Sequence, residues 1–393
     1  MKSQKDGSTY LATVVAVTVF ATHAAAAMKP YEGELSTGFT IPQIDLNDRQ
    51  DMQIVVCKDP KVYMGHPSSV LLDDGKTMVI AYLDRHGRGR ISWQRSTDAG
   101  KTWSERLPLP DGWDEKVVVG GKEHSPWLEV PIMYKLHVNG KQRICIYTSG
   151  RSILPGRYAV SDDLGNTWSA LKPIPAGEGH IESSIVLFSD MIQLKDGRYM
   201  ATWHGPRGQV KMATTRDGIH FSAPKIIATH PRAFLCEGCF IRSPDGKRIA
   251  LLLRENARRF NSFICFSDDE GETWTTPREM TGSLTGDRHQ HTYTPDGRLF
   301  ISFRDRAHKT PTHGDWVGWV GTFEDLEKGR EGQYRLRLKD NHKGADCAYP
   351  TQHLMPDGTL FAATYGCWDP GQPNYILSFR LKIEQLDKLV SAR

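Results

Sequence analysis

The chain has little of several things that a sequence of 393 residues can carry, and each shortage excludes a function class. No run of Lys or Arg is present, and 50 basic against 46 acidic residues leave a net charge of only +4. Nothing here tracks a phosphate backbone, so nucleic acid is not an expected partner. The apolar run Leu11 to Ala21, broken by Thr13 and Thr18, is too short to span a membrane, and no second one follows. Helix signals are nearly absent, with short turns of helix expected only at Glu324 to Lys328 and Glu384 to Val390. Cysteine is sparse: Cys57, Cys145, Cys236, Cys239, Cys265, Cys347 and Cys367 form an odd set of seven that cannot all pair within one chain. A domain of this size does not need disulfides, and buried thiols in strands are the expectation. Cys236-x-x-Cys239 stands alone, without the second pair or spaced histidines of a zinc site. No metal or other cofactor is expected.

What is present begins with the N-terminus. Lys2 and Lys5, the apolar run and the small residues Ala24 to Ala27 have the order of a secretory signal peptide, with cleavage near Ala26 or Ala27. Residues 1–27 are therefore read as a leader. Residues 28–393 are read as one domain, secreted to the periplasm or outside the cell and expected to act as a monomer.

A repeat decides the fold. Ser-x-Asp-x-Gly-x-Thr-Trp occurs at Ser96 to Trp103, Ser161 to Trp168 and Ser267 to Trp274, with a shorter form at Thr215 to Phe221. Each copy lies between strand-like runs and reads as a tight turn. Asp and Ser side chains bond turn amides, Gly supplies positive φ, and the aromatic ring packs between sheets. Asp-Gly or Asn-Gly turns punctuate the chain at Asp74, Asn139, Asp196, Asp245, Asp296 and Asp357. Two strands around such a turn, a third strand, the repeat turn and a fourth strand make one unit. The six units predict an all-β fold, a six-bladed β-propeller of four-stranded blades. Asp51 to Cys57 and Tyr375 to Ile383 are expected to share a sheet and close the ring, which hides an open edge.

The Ser-x-Asp-x-Gly-x-Thr-Trp turn resembles the Asp box of the sialidase superfamily, and the likeness covers nearly all of the chain after residue 27. Asp98, Asp163 and Asp269 are structural on this reading. Two further stretches resemble sialidases. Cys236-Glu237-Gly238-Cys239 with Leu253-Arg254-Glu255-Asn256 is similar to the family's Glu strand and its second carboxylate-binding Arg. Ala348-Tyr349-Pro350 is similar to the final blade that carries the nucleophilic Tyr. Arg304 or Arg306 falls where a third Arg is expected. The sequence departs from the family at three points. Met64-Gly65-His66-Pro67 stands where the first Arg belongs, the loop Asp84 to Arg90 is short, and Tyr365-Gly366 stands where the last blade carries Glu.

The resemblance implies an exo-acting sialidase-like glycoside hydrolase that releases terminal sialic acid from secreted glycoconjugates such as mucin-type glycans. A sialoside bears a carboxylate on its anomeric carbon, so a neutral Tyr oxygen is the better nucleophile. Tyr349 would attack with Glu237 as its base. An acid flanked by cysteines in an apolar strand is also costly to bury without such a role. Arg254, Arg304 and Arg85 would hold the carboxylate. Asp84, His86 or Asp346 would deliver the proton, while His66 and Glu182 are further candidates for substrate contact. Glu129, Arg151, His204, Tyr365 and the His289-Gln290-His291 cluster complete a polar central mouth. Two other readings stand beside this one. His66 points to a propeller that cleaves rhamnose from glucuronate, as hydrolase or lyase. A non-catalytic glycan-binding propeller is the third, although a binding module needs no base beside a Tyr.

Overall fold

Short turns with fixed chemistry alternate with strands that are apolar on both faces, and this pattern sets the architecture. The computed structural model describes residues 38–391, apart from 120, 125–127, 151–153, 176–180, 182–183 and 185. The expected leader 1–27, Glu182 and Arg151 lie outside the described residues.

Six small sheets, antiparallel apart from one added edge strand, form a six-bladed β-propeller. From the inner strand outward, blade one is Gly65–Leu71, Met78–Leu83 and Ile91–Ser96. Blade two is Ile132–Val138, Lys141–Gly150, Leu154–Ser161 and Lys172–Pro173. Blade three is Asp190–Gln193, Tyr199–His204, Val210–Thr215 and Lys225–Ala228. Blade four is Leu235–Arg242, Ile249–Glu255, Phe263–Ser267 and Arg278–Glu279, and blade five is Gly286–Tyr293, Leu299–Asp305, Trp316–Gly321 and Tyr334–Lys339. Blade six is Thr351–Leu354, Leu360–Gly366 and Tyr375–Leu381, completed by Gln53–Cys57 from the other end of the described chain. The ring closes as the sequence predicts.

Two blades differ from the four-strand expectation. Blade one has no fourth strand, although Ser104 and Leu107 still bond Arg95 and Trp93 through the backbone. Pro108 and Pro110 follow, and proline has no N–H to give to a ladder. Blade five gains a fifth strand, Gln43–Asp45, which pairs parallel to its outer edge. Among the described residues the α-helices are Phe323–Lys328 and Ile383–Ser391, close to where they are expected.

Each blade buries both faces. Val79 and Ile144 share a core between blades one and two, Met200 and Leu251 one between three and four, and Trp316 and Leu377 one between five and six. All six Asp-Gly or Asn-Gly turns join the first two strands of a blade, with their glycines at positive φ. In the first Asp box, Ser96 Oγ donates to Asp98 Oδ1 at 2.8 Å and the amide of Thr102 donates to Asp98 Oδ1 at 2.9 Å. The second and third copies repeat the pattern. Gly100 has φ +76°, and a Cβ there would lie 2.7 Å from the Phe361 ring of blade six. The turn thus needs glycine for its backbone and for its seat against the neighbouring blade.

Candidate active site

The side chains at the propeller axis owe their direction to a recurring backbone device. Inner-strand pairing is interrupted by a bulge between Gly65 and Ser68, between Cys236 and Cys239, and between Asp287 and Gln290. Within each bulge one residue takes a positive φ: His66 at 56°, Glu237 at 47° and Arg288 at 57°. Ala348, just ahead of Tyr349, has φ 54°. Residues with a Cβ adopt this conformation at a cost, and such bulges turn side chains away from the direction a regular strand would give them.

The result is a cavity of about 460 Å³ lined by residues from all six blades, among them His66, His86, Arg88, Glu129, His204, Glu237, Arg254, Asn256, Arg304 and Tyr349. Its floor holds one compact network. Tyr349 Oη donates to Glu237 Oε1 at 2.8 Å. Arg254 Nη1 donates to the same Glu237 oxygen at 2.8 Å and to Tyr349 Oη at 3.0 Å, while Nη2 donates to Asn256 Oδ1 at 2.6 Å. Burial opposes charge on Glu237, yet the adjoining Arg254 outweighs it and holds the carboxyl below its ordinary value. Burial and the Glu237 charge push the Tyr349 phenol upward, so it rests as the neutral hydroxyl.

Beneath this network sits Asp287, an acid that sequence reasoning missed. It is fully buried and receives three guanidinium groups. Arg258 meets it at 2.5 and 2.8 Å, Arg304 at 2.7 and 2.9 Å, and Arg254 Nε at 3.1 Å. Burial alone would raise its pKa, but Arg304, Arg254 and Arg258 together hold it far below the usual carboxylate range. A usable signal was present: an acid at the start of an inner strand, opposite Arg304 in the register that places Cys236 opposite Arg254 one blade earlier.

The expected carboxylate clamp is only partly assembled. Arg254 and Arg304 both line the cavity. Arg304, however, directs Nε and one Nη2 hydrogen to Asp287 and its Nη1 to the carbonyls of Ala345 and Cys347. Four of its five N–H donors are engaged within the protein. Its guanidinium also stands 5.4 Å from the Tyr349 ring centre, which favours electron density on that phenol. Arg85 is exposed and does not line the cavity. Asp84 is not brought there either. Its carboxylate accepts the amide of Arg90 at 2.8 Å and closes the short loop, a reason for its presence that needs no chemistry.

His66 is buried, with Nε2 3.1 Å from Tyr365 Oη and its ring 4.9 Å from that of Tyr349. Burial, helped by the His86 charge, pushes its pKa down to about 3, so a neutral imidazole stands where the sialidase pattern has its first Arg. His86 and Asp346, 260 residues apart in sequence, meet at 2.7 Å on the cavity rim, joined by Tyr63. Glu129, in blade two's share of the lining, accepts Ser149 Oγ at 2.6 Å. His289 bonds the carbonyl of Leu284 at 2.8 Å, and His291 lies 3.7 Å from Cys239 Sγ. All seven cysteines are free thiols, six of them buried and Cys57 half-buried. Among the described residues no helix is long and apolar enough to cross a membrane.

Known proteins put this geometry in context. No curated protein sequence matches the chain. Among solved structures, a protein of unknown function from Dyadobacter fermentans superposes with a TM-score of 0.65 at 17% identity, over 84% of this chain and 98% of the other. The intramolecular trans-sialidase of Ruminococcus gnavus gives 0.61 at 15% identity over 85% and 97%, and a sialidase of Streptococcus pneumoniae gives 0.58 at 12% over 84% and 70%. At these identities the likeness is one of fold. The family model for the BNR repeat-like domain matches residues 50–361, the Asp-box turns included, and the chain belongs to that family, with the propeller fold of the sialidases.

Proposed function

We propose that this protein is a glycoside hydrolase of the exo-sialidase type, which removes a terminal sialic acid from glycoconjugates outside the cytoplasm. The observation that carries the reading is the 2.8 Å hydrogen bond from Tyr349 Oη to Glu237 Oε1 on the cavity floor. Tyr349 attacks the anomeric carbon as its proton passes to Glu237, whose low pKa keeps it ready to accept. Arg254, in contact with both, stabilises the charge that builds on the phenol oxygen, and the Arg304 charge near the ring adds to this. Arg254 and Arg88 give the cavity a cationic side suited to an acidic sugar. The test is release of free sialic acid from a sialylated mucin-type glycan by the purified protein. Tyr349→Phe should abolish release, and a wild-type protein that releases none would refute the substrate.

One observation favours a second reading. The neutral, buried His66 against Tyr349 and Tyr365 removes a cation from the expected clamp. A rhamnosyl-glucuronate substrate processed by His66 is consistent with that. In that case His66→Ala abolishes turnover of such a substrate and Tyr349→Phe leaves most of it.

A further inference from the structure

A nucleophile and its base complete only half of a glycosidase, because the leaving oxygen must also gain a proton. We propose that His86 is the proton donor to the leaving group, held in place by Asp346 and Tyr63; this rests on the Tyr349/Glu237 reading above.

Three groups converge on the rim of the cavity. His86 Nδ1 lies 2.7 Å from Asp346 Oδ1, Tyr63 Oη donates to the same oxygen at 3.0 Å, and Tyr63 Oη is 3.1 Å from Nδ1. This fixes the imidazole through one nitrogen, with Nδ1–H donating to the carboxylate. Among the described residues nothing bonds Nε2, and the His86 side chain is 61% exposed on a rim that belongs to the same cavity as Tyr349. The His66 ring fills the gap between them, 5.2 Å from His86 and 4.9 Å from Tyr349. A histidine oriented by a carboxylate through one nitrogen and open at the other is the arrangement that general acids and bases use.

The other candidates are less suited. Asp346 is largely buried, which would raise its pKa, but the His86 hydrogen bond and charge and the Tyr63 hydroxyl hold it below the usual range. It stays ionised and has no proton to give. Asp84 is turned into its own loop. Glu129 lines the cavity, so it is the rival that the experiment must separate.

The proton balance closes. Protonated His86 gives Nε2–H to the glycosidic oxygen as the C–O bond breaks, Tyr349 oxygen bonds the anomeric carbon, and its proton moves to Glu237. A neutral alcohol departs. Water then attacks the glycosyl-tyrosine and gives its proton to the neutral His86, while Glu237 returns its proton to the Tyr349 oxygen. All three side chains end as they began.

The groups facing His86 are Asp346, Tyr63 and His66. The experiment compares an alkyl sialoside with an aryl sialoside whose phenol leaves without protonation. His86→Ala and His86→Gln should lower kcat/KM on the alkyl substrate by about 10²- to 10⁴-fold, the usual contribution of a general acid, and on the aryl substrate by less than about tenfold. Asp346→Asn should give a smaller, equally selective loss. Equal losses on both substrates, no loss on either, or a selective loss in Glu129→Gln in place of His86→Ala would overturn the assignment. A wild-type protein inactive on both substrates would instead refute the hydrolase reading on which it rests.

Discussion

Replacing Asp287 by Asn tests whether the charge cluster under the site is as tightly coupled as its geometry implies. The substitution keeps the shape and removes one negative charge from a fully buried position. Arg254 then keeps Glu237 as a close anion, whereas Arg258 and Arg304 lose the carboxylate they meet, and Arg254 and Arg304 are nearly buried. Breaking a buried ion pair by removing one partner costs about 3–5 kcal/mol. For a chain of this length one kcal/mol moves the melting temperature by about 2 °C, so a fall of roughly 6–10 °C at pH 7 is expected. The pH dependence has a definite sign. The Asp287 carboxyl is depressed in the folded state, so its contribution is fully present above the unfolded value of about 3.9. It disappears only as pH falls through the still lower folded value. The gap between wild type and Asp287→Asn should stay level from pH 8 to 5 and narrow below about pH 4. Arg258→Met, which removes the most exposed of the three cations, should return part of the loss in the double variant. Thermal melts followed by circular dichroism at several pH values read all of this. A change under about 1 °C at pH 7, or a gap that widens toward acid, would refute the reasoning.

Other outcomes follow from the same geometry. Tyr349→Phe should lower kcat by at least about 10³-fold with little change in melting temperature, since it removes one hydroxyl and leaves the ring in place; retained turnover in a sialic acid release assay would argue against a tyrosine nucleophile. The acid limb of kcat/KM should fall below pH 4.5, because Glu237 is held beneath its ordinary value and works as the ionised base above its folded pKa; a limb near pH 6 would contradict this. Asp98→Ala removes a carboxylate that holds the amides of Lys101 and Thr102, so a loss of about 1–2 kcal/mol with kcat/KM unchanged is expected from denaturant melts and kinetics on the same preparation.

The sequence by itself determined the scaffold, because its signals are local. An Asp-Gly turn or an Asp box folds through contacts within a few residues, so six repeats announce six blades without knowledge of anything distant. The run from Gln53 to Cys57 closes blade six because the pattern left one strand lacking. Tyr349, Glu237, Arg254, Arg304, His66 and His86 were legible as cavity residues, since strand ends of a propeller converge on its axis. What the sequence did not contain was the direction of individual side chains and the identity of their partners. A one-residue bulge reverses which face a strand side chain meets, and nothing in Gly65-His66-Pro67 or Cys236-Glu237-Gly238 marks the left-handed residue inside it. Arg304 read as a free clamp and faces Asp287. Asp84 read as an acid and closes a loop. His86 meets Asp346 only because the ring brings blade one beside blade six. Local backbone chemistry chose the fold, and long-range closure of the ring decided which charges meet.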